Sequence, residues 1–333
     1  MTSVTLDSPF QIGPVRVRNR VVLAPMSGVT DLPFRQLAFR YGAGLVVTEM
    51  VASRELVFNA AESWSRLKGA GLSPHMVQLA GRDAKWLAEA AVIAEANGAD
   101  IIDINMGCPA KKVIGGYAGS ALMREPDHAL SLIEATVKAV KIPVTVKMRL
   151  GWDSASINAP YIAKRAEDAG VQLVTVHGRT RMQFYEGRAD WDAIAAVRDA
   201  IRIPLVANGD VETADDAADI LRRSGADAVM LGRACQGRPW HAGQLAGHDG
   251  PQAADIPAIA LEHYRMMLEH YGADVGVRHA RKHLGWYLDR HAKDVAPDEK
   301  AALMTSKDPE QVAKALMQAL SKGIAGQAIQ EAA

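Results

Sequence analysis

The chain is 333 residues long, 49% hydrophobic and 23% charged, which is ordinary for a globular protein and excludes a disordered or fibrous chain. Lys plus Arg (38) equals Asp plus Glu (38), so attraction to nucleic acid or membrane has to come from a local patch. Two cysteines, Cys108 and Cys235, exclude a disulfide framework. No apolar run reaches the ~18–20 residues that span a bilayer, and Met1 to Arg20 lacks the layout of a secretory signal, so no membrane partner and a cytoplasmic location are expected.

In chain order, apolar runs of strand length alternate with helical periodicity. The strand Arg20–Ala24 is followed by the helix Leu32–Tyr41, then by strands Gly44–Thr48 and Met76–Leu79 and the helix Ala84–Asn97. Strand Asp100–Ile104 precedes the helix Asp127–Val140, and strand Val144–Met148 precedes the helix Ala159–Ala169. Strand Leu173–His177, helix Trp191–Ala200, strand Leu205–Ala207, helix Ala214–Ser224 and strand Ala228–Leu231 complete the series. Asp31 and Thr213 stand where caps are needed, and Gly42, Gly98, Gly170 and Gly225 close helices. Eight buried strands alternating with helices predict a (β/α)8 TIM barrel. The rival, a doubly wound sheet, lacks its Gly-x-Gly-x-x-Gly between a first strand and helix; the nearest run, Gly115 to Gly119, follows the fourth strand. Past the barrel, His241 to Pro257 reads as a linker. Helices are predicted at Ile256–Tyr271, Val275–His291, Asp298–Thr305 and Glu310–Leu320, with a frayed tail from Gly323. This divides the chain into a barrel, residues 1–245, and a helical domain, residues 246–333.

The active site of such a barrel lies at the carboxyl ends of the strands. Strand one ends in Pro25-Met26-Ser27, strand three gives Gln78, and strand four gives Asn105-Met106-Gly107-Cys108-Pro109. Strand five supplies Lys147 and Arg149, strand six His177-Gly178-Arg179, strand seven Asn208-Gly209-Asp210 and strand eight Gly232-Arg233. One polar strand end is usually only solvated; seven point to a composite pocket. The last two loops place glycines and a fixed charge where barrels most often hold a phosphate, which suggests a phosphorylated cofactor.

These residues resemble a known family. Ala24-Pro25-Met26, Thr48-Glu49-Met50, Asp103 to Pro109, His177 to Arg181 and Ala207 to Asp210 together look like the tRNA-dihydrouridine synthases. Pro109 to Val113 and Arg281 to Tyr287 look most like the bacterial class B branch, some members of which carry an older label as nitrogen-regulation proteins. The resemblance covers Phe10 to Asp289. It implies an oxidoreductase that uses FMN, reduced by NADPH, to saturate the C5–C6 bond of a uridine in the tRNA D-loop. It also implies that Pro25, Met26, Ser27 and Gln78 line the flavin and that Lys147 and His177 hold it. Asn208, Gly209, Asp210, Gly232 and Arg233 would take the ribityl-phosphate, and Cys108 would be the catalytic acid.

The chemistry can be argued separately. Hydride arriving at C6 of uracil pushes charge through C5 towards O4, and a proton must then reach C5. A thiol with pKa ~8.5 is mostly protonated at pH 7 and can donate it. Cys235, in Arg-Ala-Cys-Gln, is expected to be an inert buried cysteine. For tRNA, Arg278, Arg281 and Lys282 share one face of the predicted helix Val275–His291; Asn105, Arg179, Arg181 and Lys111-Lys112 add candidates near the pocket mouth. Glu262-His263 and Glu269-His270 read as helix surface, with no metal expected. The protein is expected to be a monomer. Two other readings stay open: a flavin barrel acting on a free pyrimidine, and a regulator that keeps the flavin fold.

Overall fold

The computed structural model describes residues 5–115 and 118–331. Gly116 and Tyr117 of the glycine-rich run lie outside the described residues, as does the side chain of Lys112. The chain opens with an antiparallel hairpin, β1 (Phe10–Ile12) and β2 (Val15–Val17), that the sequence reading did not separate. Then come β3 (Val21–Leu23), β4 (Leu45–Val46), β5 (Val51–Ala52), β6 (Met76–Ala80), β7 (Ile101–Met106), β8 (Val144–Arg149), β9 (Val174–His177), β10 (Leu205–Asn208) and β11 (Ala228–Leu231). These nine are parallel neighbours in the order β4-β3-β11-β10-β9-β8-β7-β6-β5. The predicted second barrel strand, Gly44–Thr48, holds β4, and a further short strand that the sequence reading did not find, β5, follows it: β4 pairs with β3, β5 pairs with β6, and a bridge between Val47 and Met76 links the two ends of the sheet. The break falls at Thr48-Glu49-Met50. The result is a TIM barrel followed by a C-terminal helical region.

The predicted barrel helices lie where the periodicity put them, within a residue or two. Asp31 accepts a hydrogen bond from the Phe34 N–H at the start of the helix Leu32–Arg40. Thr213 and Asp216 form a capping box on the helix Ala214–Ser224. One hydrophobic cluster fills the space between strands and outer helices. A second lies inside the barrel, where Phe10, Ile12 and Val17 of the hairpin pack on Val22, Leu45, Met76, Ile101, Leu173, Val206 and Ala228. The hairpin thus plugs the amino-terminal end of the barrel and leaves the carboxyl end for chemistry.

Four sequence expectations need correction. The stretch from His241 is not a plain linker: His241–Leu245 is helical, with His241 and Ala242 buried and the His241 ring bonded to the Glu212 carbonyl (2.7 Å). The tail is not frayed from Gly323, because the last helix runs Pro309–Glu331. A Cβ at Gly323 would strike Ala292, so the glycine lets this helix dock closely. His263 is not helix surface but buried, 4.8 Å from the His283 ring and 5.7 Å from Phe34. Burial takes its pKa down to about 3, so it is a neutral core histidine. Val275–His291 begins earlier, at Ala273.

The helical region has its own core, built around Tyr264, Met267, Leu284, Tyr287, Leu288 and Leu316. It sits beside the barrel mouth. Glu262 pairs with Arg40 (2.6 Å), the Tyr271 hydroxyl donates to Asp31 (3.1 Å), and Arg290 donates to the Gln236 carbonyl (2.5 Å). Among the described residues, no helix is long and apolar enough to cross a membrane.

Candidate active site

Seven strand ends converge on the open end of the barrel. The loop after β7 is the most heavily constrained. Inside the barrel, Asp103 accepts from Thr145 Oγ1 (2.6 Å) and from Gln78 Nε2 (2.7 Å). Gln78 Oε1 accepts from Asn105 Nδ2 (2.7 Å), and Asn105 Oδ1 accepts from the N–H groups of Gly107 (3.2 Å) and Cys108 (3.0 Å). A continuous chain of hydrogen bonds therefore runs from the barrel interior to the Cys108 backbone. Burial pushes the Asp103 carboxyl up to about 6, against the pull of its Gln78 and Thr145 bonds and of the Lys147 charge.

The same loop is held from its other side. The Cys108 carbonyl accepts from Ser120 N (3.1 Å) and Ser120 Oγ (2.8 Å). Gly119 has a positive φ of 60°, and a Cβ there would come within 2.8 Å of the Cys108 carbonyl oxygen, so this close approach requires glycine. Arg149, 2% exposed, donates through Nε to the Gly107 carbonyl (2.8 Å) and through Nη1 to the carbonyls of Thr180 and Phe184 (2.8 Å each). It ties the loop after β7 to the loop after β9. Burial pushes the Cys108 thiol up, only partly offset by the Ala110 N–H and the charges of Arg149 and Lys147. The side chain remains a thiol at neutral pH.

Lys147 and His177 lie on the adjoining strands β8 and β9. Lys147 Nζ donates to Asn208 Oδ1 (3.3 Å), and burial with the nearby Arg149 charge brings its pKa down to about 8. Asn208 in turn donates to the Met230 carbonyl (2.8 Å). Burial and the surrounding charges of Lys147, Arg149, Arg179 and Arg233 hold His177 well below its ordinary range, so its ring is neutral. Its Nε2 faces Arg179 Nη1 at 3.2 Å, which makes Nδ1 the N–H-bearing nitrogen.

At the other end of the mouth, Asn208, Asp210, Val211, Glu212, Met230, Gly232, Arg233 and Ala234 line a cavity of about 230 Å³. A Cβ on Gly232 would stand 3.5 Å from Met26 Sδ and narrow the space beside it. The Asp210 side chain is turned into the protein: Oδ2 accepts from Arg179 (2.6 Å) and the Ala189 N–H (2.8 Å), Oδ1 from Arg233 (3.4 Å). Those bonds hold Asp210 at φ 57°, an unusual conformation for a residue with a side chain. Only its backbone is available to a phosphate. Pro25 and Met26 border the mouth partly buried, and Ser27 is exposed.

The structure separates the RNA candidates. Arg179 is buried, donating to the carbonyls of Glu186 and Gly187 and to Asp210; it organises the loop and offers nothing to solvent. Arg181 is also buried, stacked 4.9 Å from Trp152 and 4.4 Å from Phe184. Arg281 donates to the Thr305 and Ser306 carbonyls at the end of the helix Pro297–Thr305. Arg278 is exposed, and Lys282 Nζ lies 2.9 Å from the Cβ position of Gly28, directly above the loop after β3. Asn105 is a backbone organiser, 7% exposed.

Three residues have roles that the sequence reading did not assign. Arg149 was noted only as a strand end and Glu49 only within the Thr48-Glu49-Met50 run. Glu49, at the break between β4 and β5, is buried and accepts from the Gly28 N–H (2.5 Å). Tyr185 is exposed at the mouth, 5.7 Å from the Arg149 guanidinium and 5.5 Å from that of Arg233. Its signal, an aromatic eight residues past His177, carries no pattern that a loop could reveal.

The sequence profile of the family described as Dihydrouridine synthase (Dus) matches residues 22–324. A curated protein of Rhizobium leguminosarum bv. phaseoli, "Probable tRNA-dihydrouridine synthase", is 76% identical over 307 residues, covering 92% of this chain and 97% of that protein. The "tRNA-dihydrouridine synthase B" of Xanthomonas campestris pv. campestris is 46% identical over 309 residues, covering 90% of this chain and 92% of that protein. Among solved structures, morphinone reductase superposes with a TM-score of 0.55 at 14% identity over 76% of this chain and 92% of that one. Histamine dehydrogenase from Rhizobium sp. 4-9 superposes with a TM-score of 0.59 at 13% identity over 96% of this chain and 64% of that one. These structural likenesses speak for the fold.

Proposed function

The chain belongs to the dihydrouridine synthase family and reduces uridine in tRNA to dihydrouridine; we propose that it does so with FMN as bound flavin, NADPH as reductant and Cys108 as proton donor, on a uridine of the D-loop. The residues present fit an FMN. The cavity between Asn208 and Ala234 has backbone N–H groups, the Gly232 opening and the Arg233 charge for a phosphate. Pro25, Met26, Lys147 and His177 border the mouth on the remaining sides, and Gln78 is buried beneath it. When bound, the flavin supplies the hydride that adds to C6 of uracil.

The observation that carries the reading is the Cys108 loop. A thiol kept protonated by burial, on a backbone fixed by Asn105, Ser120 and Arg149, is suited to delivering one proton to C5. Lys147, charged below about pH 8, is placed to hold an electron-rich group beside it, and His177 presents a neutral N–H. Arg278 and Lys282 offer cations to tRNA phosphates. The test is direct. The purified protein should be yellow, release FMN on denaturation, and with NADPH under anaerobic conditions convert unmodified tRNA to dihydrouridine-containing tRNA. A colourless protein, or tRNA left unmodified, refutes the reading.

A further inference from the structure

Two aromatic rings, Phe58 exposed and Trp86 partly buried, stand together on the catalytic rim and take part in none of the contacts described above. Phe58, 62% exposed, follows the short helix Ser53–Val57 that leaves β5. Trp86 lies in the first turn of the helix Ala84–Ala96 that follows β6. Their ring centroids are 5.2 Å apart and inclined at 60°. Arg54 lies over the Phe58 ring at 5.6 Å, and Lys85 over the Trp86 ring at 4.5 Å. The backbone beneath both rings is fixed: Phe58 N donates to the Arg54 carbonyl (3.0 Å), and Asp83 caps the helix by accepting from Lys85 and Trp86.

An exposed phenylalanine backed by a partly buried tryptophan, with exposed Arg54 and Lys85 over the rings, is a local aromatic and basic patch on a chain whose total charge is balanced. Its chemistry suits one class of ligand. Flat rings accept a nucleobase of any identity, and flanking cations accept its phosphates. The position suits the same ligand. β5, β6 and β7 are consecutive neighbours in the sheet, and Cys108 follows β7. Neighbouring strands lie about 4.8 Å apart, so the rings and the thiol leave the same rim one and two strands apart, within reach of a few nucleotides of RNA.

We propose that Phe58 and Trp86, with Arg54 and Lys85, form a second docking platform for the substrate tRNA. An unpaired base near the target uridine stacks on the rings while the two cations meet adjacent phosphates. The platform rests on the tRNA reading above and adds a contact away from the helical domain. It positions the RNA strand and takes no part in the transfer of hydride or proton.

The experiment compares wild type, Phe58→Ala, Phe58→Trp and Lys85→Glu as full-length holoenzymes. It reads the KM for unmodified tRNA, kcat, the salt dependence of tRNA binding, and flavin reduction by NADPH. Phe58→Ala should raise the tRNA KM at least about fivefold, the lower end of what one base–aromatic stack contributes. Its kcat and its flavin reduction should match wild type. Phe58→Trp should keep the wild-type KM, because any flat ring serves. Lys85→Glu should lower the salt slope by about 0.7. A wild type that reduces tRNA beside a Phe58→Ala variant with unchanged KM overturns the platform alone and leaves the tRNA reading standing. A wild type that leaves tRNA unmodified overturns the tRNA reading and the platform with it.

Discussion

The loop after β7 and the loops after β10 and β11 face the same mouth but are built by opposite means. The first is fixed by side chains: Asn105, Ser120 and Arg149 hold the backbone around Cys108, and Gln78 and Asp103 support Asn105 from the barrel interior. The second pair borders an open cavity with glycines, and its one outward cation, Arg233, is 57% exposed. A proton donor must be in place before its substrate arrives, because misplacement by about 1 Å can cost about 10²-fold in rate. A phosphate site can be completed by the phosphate itself, since charge-assisted bonds form readily to an exposed guanidinium.

This contrast predicts where a single substitution stops the chemistry and where it only loosens a ligand. The largest effect is at Cys108. Cys108→Ala removes the proton donor and should slow reoxidation of the reduced enzyme by tRNA about 10²–10⁴-fold, while NADPH still bleaches the flavin. Single-turnover reoxidation under anaerobic conditions measures it, and equal rates in wild type and variant would remove the thiol from the mechanism. Cys235→Ala is the matched control: buried, with its thiol pushed up to about 12, that side chain should leave both half-reactions unchanged.

Next is Asn105→Ala. It leaves the N–H groups of Gly107 and Cys108 and Gln78 Oε1 without their partner, so the thiol remains but its loop loosens. A loss of about 10²-fold in tRNA reduction is expected, with flavin content close to wild type. Loss of flavin in proportion to activity would instead make Asn105 part of the cofactor site and erase the distinction between the two loops.

At the open end the effects should be smaller and show in retention. Arg233→Ala should weaken flavin binding about tenfold, the scale of one hydrogen bond to a charged group, and added FMN should restore the rate. Lys147 should make retention pH-dependent. Its folded pKa of about 8 lies below the ordinary lysine value, so the unliganded protein loses this charge as pH rises through about 8. A ligand that prefers the ammonium then binds with constant affinity below pH 8 and progressively less tightly above it. Equilibrium dialysis of FMN from pH 6 to 10 tests the sign, and Lys147→Met should flatten the curve.

Much of this was legible in the sequence because parallel barrel strands are buried on both faces and read as short apolar runs, so a polar residue at the end of a run is a rim residue. Asn105, Lys147, His177 and Asn208 were picked out as site candidates in that way, and so was Gln78, which the structure buries inside the barrel between Asp103 and Asn105. What was hidden depends on where a long side chain turns after leaving its loop. Arg179 and Arg181 carry the same signal as a surface cation, yet one is folded back onto Asp210 and the other is sandwiched between Trp152 and Phe184. The step from β4 to β5 was hidden because β5, Val51–Ala52, is two residues long and lies beyond the polar pair Thr48-Glu49, so no apolar run announces it. His263 was misjudged for a related reason: a polar residue on a helix reads as outward until the partner, here the barrel's Phe34, is known.

The smallest expected effect separates three cations that share one helix face. Arg281 is engaged with the Thr305 and Ser306 carbonyls, whereas Arg278 is exposed and Lys282 reaches over the loop at Gly28. A phosphate contact reveals itself by counterion release, so each lost contact should lower the slope of log affinity against log salt by about 0.7–0.9. Arg278→Glu and Lys282→Glu should each do so and raise the tRNA KM. Arg281→Ala should leave the slope unchanged and instead lower stability by roughly 1 kcal/mol, through carbonyls that lose a charged donor. Salt titrations of tRNA binding beside thermal unfolding of the same three variants would resolve the assignment. Three equal slopes with no loss of stability at Arg281 would return that residue to the RNA face, and the helix would then dock tRNA with all three cations rather than two.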